Sequence, residues 1–220
     1  MKALGACAVI TGVVLLPAPA QARHIDGTPG RDILVGTQRG DRIHARGGDD
    51  AIRALGGRDV ARGGEGDDRI FLGPGILTRI GEIGEFGYGG PGDDRVYGQI
   101  GDDSLAGHRG NDGIYGGPGS DILFGGGGDD LLKGGRAYDI LDAGTGKDVI
   151  RAGPGDDEVS DGVGQDRFYL GPGRDLIYGL TDDGLPDLIN CGRGHDLVAV
   201  FARRLDPLDK YVGCEEFDFG

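Results

Sequence analysis

The chain has 220 residues, a formal charge of -14, 49 glycines, 10 prolines and no tryptophan. Without a period, that composition describes a low-complexity polymer that buries too little apolar surface to offset its ordering entropy. The negative charge, with no basic patch along the sequence, argues against a nucleic-acid partner, so internal repeats decide whether there is a fold at all.

The first segment, residues 1–22, reads as a signal peptide. Lys2 opens it, an apolar run extends from Ala3 to Leu16, and Pro17 leads into Ala18-Pro19-Ala20 and Ala20-Gln21-Ala22. The run is too short to span a bilayer, and cleavage is expected after Ala22. Leu4-Gly5-Ala6-Cys7 has the look of a lipidation box, but too little chain precedes Cys7 to hold both a basic start and an apolar core. The expected destination is therefore extracellular, by a Sec-like route.

A nine-residue clock follows. From Gly27 the units are "GTPGRDILV", "GTQRGDRIH", "ARGGDDAIR", "ALGGRDVAR" and "GGEGDDRIF", giving a first block over 23–71. Residues 72–88, "LGPGILTRIGEIGEFGY", interrupt it with a segment one residue short of two nines. It reads as a pair of degenerate units that keep the stack going, the other reading being a side loop that binds a partner. A second block spans 89–199, unbroken to Tyr178, then slipping by three residues before "DDGLPDLIN" and "CGRGHDLVA". Residues 200–220 read as a cap over the last coil. Position six is Asp in every unit and position eight is apolar.

Glycine over positions one to five allows tight curvature. The short segment at seven to nine alternates faces, with position eight inward. Each nine is then a turn plus a very short strand, and two nines make one coil. Coils stack at about 4.8 Å into an all-β, parallel β-roll, a β-helix-like solenoid. Residues eighteen apart fall on neighbouring coils, so the Asp residues form columns that nothing basic on the same clock compensates. Carboxylates beside bare turn carbonyls suit a hard cation with six to eight oxygen ligands. Calcium fits this better than magnesium, which demands a smaller, rigid octahedron.

The pattern G-G-x-G-x-D-x-U-x, met in full by "GGEGDDRIF", "GGPGDDRVY" and "GGPGSDILF", resembles the RTX, or hemolysin-type, calcium-binding nonapeptide repeat. The resemblance implies a β-roll with several Ca2+ ions lodged between turns. Carried over position by position, the metal ligands would be Asp32, Asp41, Asp50, Asp59, Asp68, Asp94, Asp103, Asp112, Asp121, Asp130, Asp139, Asp148, Asp157, Asp166 and Asp175, with turn carbonyls. "GGRAYDILD" lacks the fourth glycine, which puts the turn around Asp139 in question. RTX proteins often leave the cell by a C-terminal signal, whereas this chain starts with an N-terminal one.

With Cys7 removed, Cys191 and Cys214 remain. In an exported chain they are expected to pair as one disulfide, the alternative being two buried thiols. Other motifs carry less. Arg39-Gly40-Asp41 spells an adhesion tripeptide, but Asp41 already serves at position six. Paired acids such as Asp67-Asp68 read as turn surface rather than as an acid/base dyad. The three serines lie in no nucleophile elbow, the four histidines share no metal-ligand spacing, and "GTGKD" lacks the rest of a phosphate loop. The expected protein is thus a secreted calcium binder, not an enzyme. The alternative is a calcium-dependent adhesion or matrix module that meets a cell-surface partner through 72–88 or its outward positions.

Overall fold

A computed structural model describes residues 23–74, 84–180, 184–200 and 207–219. Residues 1–22 and the middle of the 72–88 segment therefore lie outside the described residues, as do 201–206 within the expected cap.

The described residues form a parallel β-solenoid without helix. One sheet holds twelve strands, from His24–Asp26 to Glu216–Phe219, and the other ten, from Ile33–Val35 to Lys210–Val212. Apart from Glu158–Ser160 and Val163–Gly164, which share the twelve-stranded sheet, successive strands of the chain go to opposite sheets, so within a sheet each strand pairs with the strand one coil away. The register is eighteen residues over most of the roll: Ile114 lies opposite Leu132, and Leu123 opposite Leu141. Near the end it widens to 21, with Arg167 opposite Leu188 and Leu176 opposite Leu197. This is the three-residue slip seen in the sequence.

Strands bury alternate residues, as in the intermediate-buried-intermediate pattern of Gly113–Pro118. The position-eight residues Leu105, Ile114, Leu123, Leu132 and Leu141 are fully buried between the sheets. The turns favour glycine at positions two and four because both take left-handed φ, for example Gly117 at 126° and Gly119 at 149°, although Arg46, Leu55, Gln99 and His108 also hold position two at φ 84–88°. Ala137, which replaces the missing fourth glycine, takes φ 81°. The turn around Asp139 thus survives that departure.

The interruption at 72–88 is smaller than it looks. Pro74 pairs with Ile100, 26 residues on, whereas the Gly84 N–H donates to the Asp102 carbonyl, eighteen residues on. The eight residues beyond one coil all fall within 75–83. Residues 84–88 rejoin the clock, with Phe86 and Tyr88 paired to Val60 and Arg62. Residues 75–83 of the expected pair lie outside the described residues, and 84–88 form the end of one degenerate unit. Its inward position is Gly87, and the hole this leaves is closed by Val96, Leu105 and Leu72, the last fully buried at position one. Leu72→Ala reopens it and is expected to cost about 2–4 kcal/mol, measured as a shift in the denaturant midpoint of the folded chain. A change below about 0.5 kcal/mol would mean that Leu72 does not fill this hole.

Cys191 and Cys214 form a disulfide with Cα atoms 5.1 Å apart. It ties the last coil to the segment behind it and, by loop length, contributes roughly 3 kcal/mol. Among the described residues no helix is long and apolar enough to cross a membrane.

The outward positions correct one expectation. Basic residues that are scattered along the sequence gather on the ten-stranded sheet. Arg53, Arg69, Arg95, Lys133, Arg151 and Arg167 all stand at positions seven or nine of its strands, and no acid shares those positions with them. The chain does have a basic face. A clock of nine hides it and a clock of eighteen shows it.

Candidate metal centre

Position six precedes each strand, so the two sheets generate two columns. Asp32, Asp50, Asp68, Asp94, Asp112, Asp130, Asp148 and Asp166 run along one edge, and Asp41, Asp59, Asp103, Asp121, Asp139, Asp157 and Asp175 along the other. All fifteen residues expected from the sequence are buried. Each column is held by a ladder in which the Oδ1 of one Asp accepts the backbone N–H of the Asp one coil earlier. Asp94 N–H donates to Asp112 Oδ1 at 2.8 Å, and Asp112 N–H to Asp130 Oδ1 at 2.7 Å. Half of each carboxylate is thereby committed to stacking.

The ladders also pick up residues that the nine-residue pattern missed. Glu85 takes the place of an Asp between Asp59 and Asp103, its own N–H donating to Asp103 Oδ1. Asp187 and Asp196, already at position six of the last two units, continue the columns, and the expected cap supplies one more rung to each, Asp209 and Glu215. The sequence signal was present at eighteen: Glu85 is eighteen residues before Asp103. An outer ladder runs in the opposite sense through position five, where Asn111 N–H donates to Asp93 Oδ1 and Asp129 N–H to Asn111 Oδ1, both at 2.7 Å. The paired acids of the turns therefore belong to separate ladders.

The second oxygen of the column carboxylates is different. Oδ2 of Asp68, Asp94, Asp103, Asp112, Asp121, Asp130 and Asp139 is buried without a hydrogen-bond partner. A buried carboxylate oxygen left unpaired is costly, by about 1–3 kcal/mol or more. These seven units also begin with glycine, and oxygens close on that bare Cα. A Cβ placed on Gly134 would lie 2.5 Å from Asp139 Oδ2 and 2.7 Å from the Ala152 carbonyl oxygen one coil on. On Gly98 it would lie 2.5 Å from Asp103 Oδ2 and 2.9 Å from the Gly116 carbonyl oxygen. Oxygens from two coils thus face each other with only glycine beside them. Elsewhere the gap changes. Oδ2 of Asp50, Asp59, Asp148 and Asp157 is likewise without a partner, but their units begin with Ala45, Ala54, Ala143 and Ala152, whose methyls are buried there.

The first coil is closed altogether. Thr28 donates both its N–H and its hydroxyl to Asp32 Oδ2, and Thr37 does the same for Asp41 Oδ2. Asp41 Oδ1 accepts Arg23 N–H, so the carboxylate of the Arg39-Gly40-Asp41 tripeptide is buried and fully engaged.

Burial pushes the open carboxyls up, against the downward pull of the backbone N–H: Asp94 and Asp139 to about 8, and Asp68, Asp112, Asp121 and Asp130 to about 7. Glu85 is pushed to about 9, first by burial and then by Asp103 and Asp59. Near neutral pH these buried carboxyls are poised between proton and charge.

Among the described residues no three carboxylate, imidazole or thiolate side chains converge on one point. An ion in these turns would draw one or two oxygens from the column and the rest from backbone carbonyls. That donor set is all oxygen and suits calcium. The sequence profile of the RTX calcium-binding nonapeptide repeat (4 copies) matches residues 26–61, 47–76, 88–123, 124–159, 142–177 and 151–185. No curated protein matches the chain.

Proposed function

Because the chain belongs to the family of RTX calcium-binding nonapeptide repeat proteins, we propose that it is an exported calcium-binding protein whose roll folds around Ca2+ held between successive turns. One observation carries this reading: the unbroken run of orphaned Oδ2 atoms beside position-one glycines from Asp68 to Asp139. Those seven carboxylates would hold the ions with turn carbonyls of the neighbouring coil. Bound calcium supplies positive charge to a column that otherwise repels itself. With individual affinities of about 10⁻⁴–10⁻³ M, the sites fill outside a cell and stay empty inside it. Residues 1–22 would direct the export, and the Cys191–Cys214 bond suits an oxidising compartment. The activity is binding and folding, with no catalysis of its own.

The test is circular dichroism of residues 23–220 titrated with calcium from chelator to about 10 mM, bracketing weak extracellular sites, with magnesium in parallel. A cooperative, calcium-specific rise in β signal is expected. A β signal already complete in chelator and indifferent to calcium would sink the coupling. The second reading, a calcium-dependent adhesion or matrix module, is favoured by the outward basic face rather than by 72–88.

A further inference from the structure

We infer that the outer face of the ten-stranded sheet is a docking surface for an extended acidic polysaccharide. Its six cations, Arg53 to Arg167, lie on seven consecutive strands of the sheet. At the strand spacing this is a ribbon roughly 30 Å long. In a chain of charge -14 such a face forms only because the coil sorts every second unit to one side. The opposite sheet carries Asp142, Glu158, Glu216 and Asp218 at its outward positions, with Arg42 and Arg62. Among the described residues none of the six cations is ion-paired, whereas on the opposite sheet His24 and Arg46 both meet Asp26. Six cations held on a rigid sheet without ion-pair partners among the described residues are complementary to a linear polyanion.

The aromatic residues between them decide which polyanion. Phe71, Tyr97 and Tyr115 stack face to face, with centroids 4.7 Å apart at both steps. Their outer faces are capped by Arg53, 5.9 Å from the Phe71 centroid, and by Lys133, 5.2 Å from that of Tyr115. Arg151 covers Tyr169 at 5.6 Å. Nucleobases bind single-strand proteins through free ring faces, and these rings offer edges and phenol hydroxyls instead. Exposed Asp49, Asp67, Asp93 and Asp129 fence one side of the ribbon, two residues before its strands. A wide duplex would press phosphates onto that fence. A single extended chain of uronate sugars fits between: its carboxylates take guanidinium forks, its hydroxyls meet the tyrosine edges, and it needs no ring face.

The inference rests on the fold and goes beyond the calcium reading. Binding of polygalacturonate, dextran and single-stranded DNA to residues 23–220 would be measured in calcium, with circular dichroism of the same samples confirming the folded roll. Polygalacturonate is expected to bind and dextran and DNA not. Arg95→Glu with Arg151→Glu should weaken binding at least about tenfold, while Arg42→Glu with Arg62→Glu on the other sheet changes it less than about twofold. Equal binding by all variants would mean calcium bridging between acidic turns and polymer, and would overturn the inference. So would tighter binding of DNA, or no polygalacturonate binding by a chain that shows the calcium-dependent fold. A chain that binds the polymer without any calcium response would sink the calcium proposal and leave this one standing.

Discussion

Held in chelator, the chain loses its β signal as the pH rises from about 5 to about 8, and calcium restores it at the upper end. The sign follows from the columns. Asp68, Asp112, Asp121 and Asp130 are pushed by burial to about 7, and Asp94 and Asp139 to about 8, from an unfolded value near 3.9. An acid whose folded pKa is raised binds more protons folded than unfolded. Its contribution to stability is therefore full below the unfolded value and is lost as the pH climbs through the folded one. Glu85, pushed to about 9, extends the window upward. Calcium and protons compete for the same buried oxygens, so calcium binding near pH 6.5 releases protons. Two measurements check this: circular dichroism against pH in chelator, and calorimetric calcium titration in buffers of different ionisation enthalpy. A metal-free β signal that grows between pH 5 and pH 8 would contradict the whole electrostatic account.

What the sequence reveals here depends on which period is read. The turn-strand unit, the inward column at position eight and the Asp column at position six are fixed by local chemistry that repeats every nine residues. They are legible one unit at a time, and the structure places all fifteen candidate Asp residues on two ladders. Glu85, Asp209 and Glu215 were hidden because each lies where the local pattern fails. Glu85 is followed by Gly87 instead of an inward apolar residue, and the vacancy is filled from elsewhere by Leu72. Only the neighbour one coil away identifies such rungs. The same holds for the threonines: Thr28 and Thr37 look like tolerated variants at a glycine position until their hydroxyls are seen on the Asp32 and Asp41 carboxylates. The basic face is a pure product of coil geometry, since alternate units diverge and residues eighteen apart converge.

That distinction between closed and open carboxylates gives the second large effect. Asp121→Asn and Asp41→Asn change the same atom at the same repeat position and are expected to act in opposite ways. In Asp121 the Oδ1 accepts Asp103 N–H, a bond that asparagine keeps, while the orphaned Oδ2 becomes an amide donor near the Gly134 carbonyl. The metal-free roll then loses one buried charge and one unmet acceptor, and gains about 1–3 kcal/mol. The calcium-loaded roll loses a ligand. At calcium a hundredfold above the site's Kd this removes roughly 2.7 kcal/mol, so the calcium dependence of stability shrinks from both ends. In Asp41 both oxygens are already satisfied, by Arg23 N–H and by Thr37. An amide there turns an acceptor of two hydrogen bonds into a donor facing donors. The roll is destabilised by about 1–3 kcal/mol with and without calcium, and its calcium response is unchanged. Denaturant midpoints of both variants, in chelator and in saturating calcium, separate the two cases. Equal loss of calcium response in both variants would show that the threonines close nothing and that the first coil binds metal like the rest.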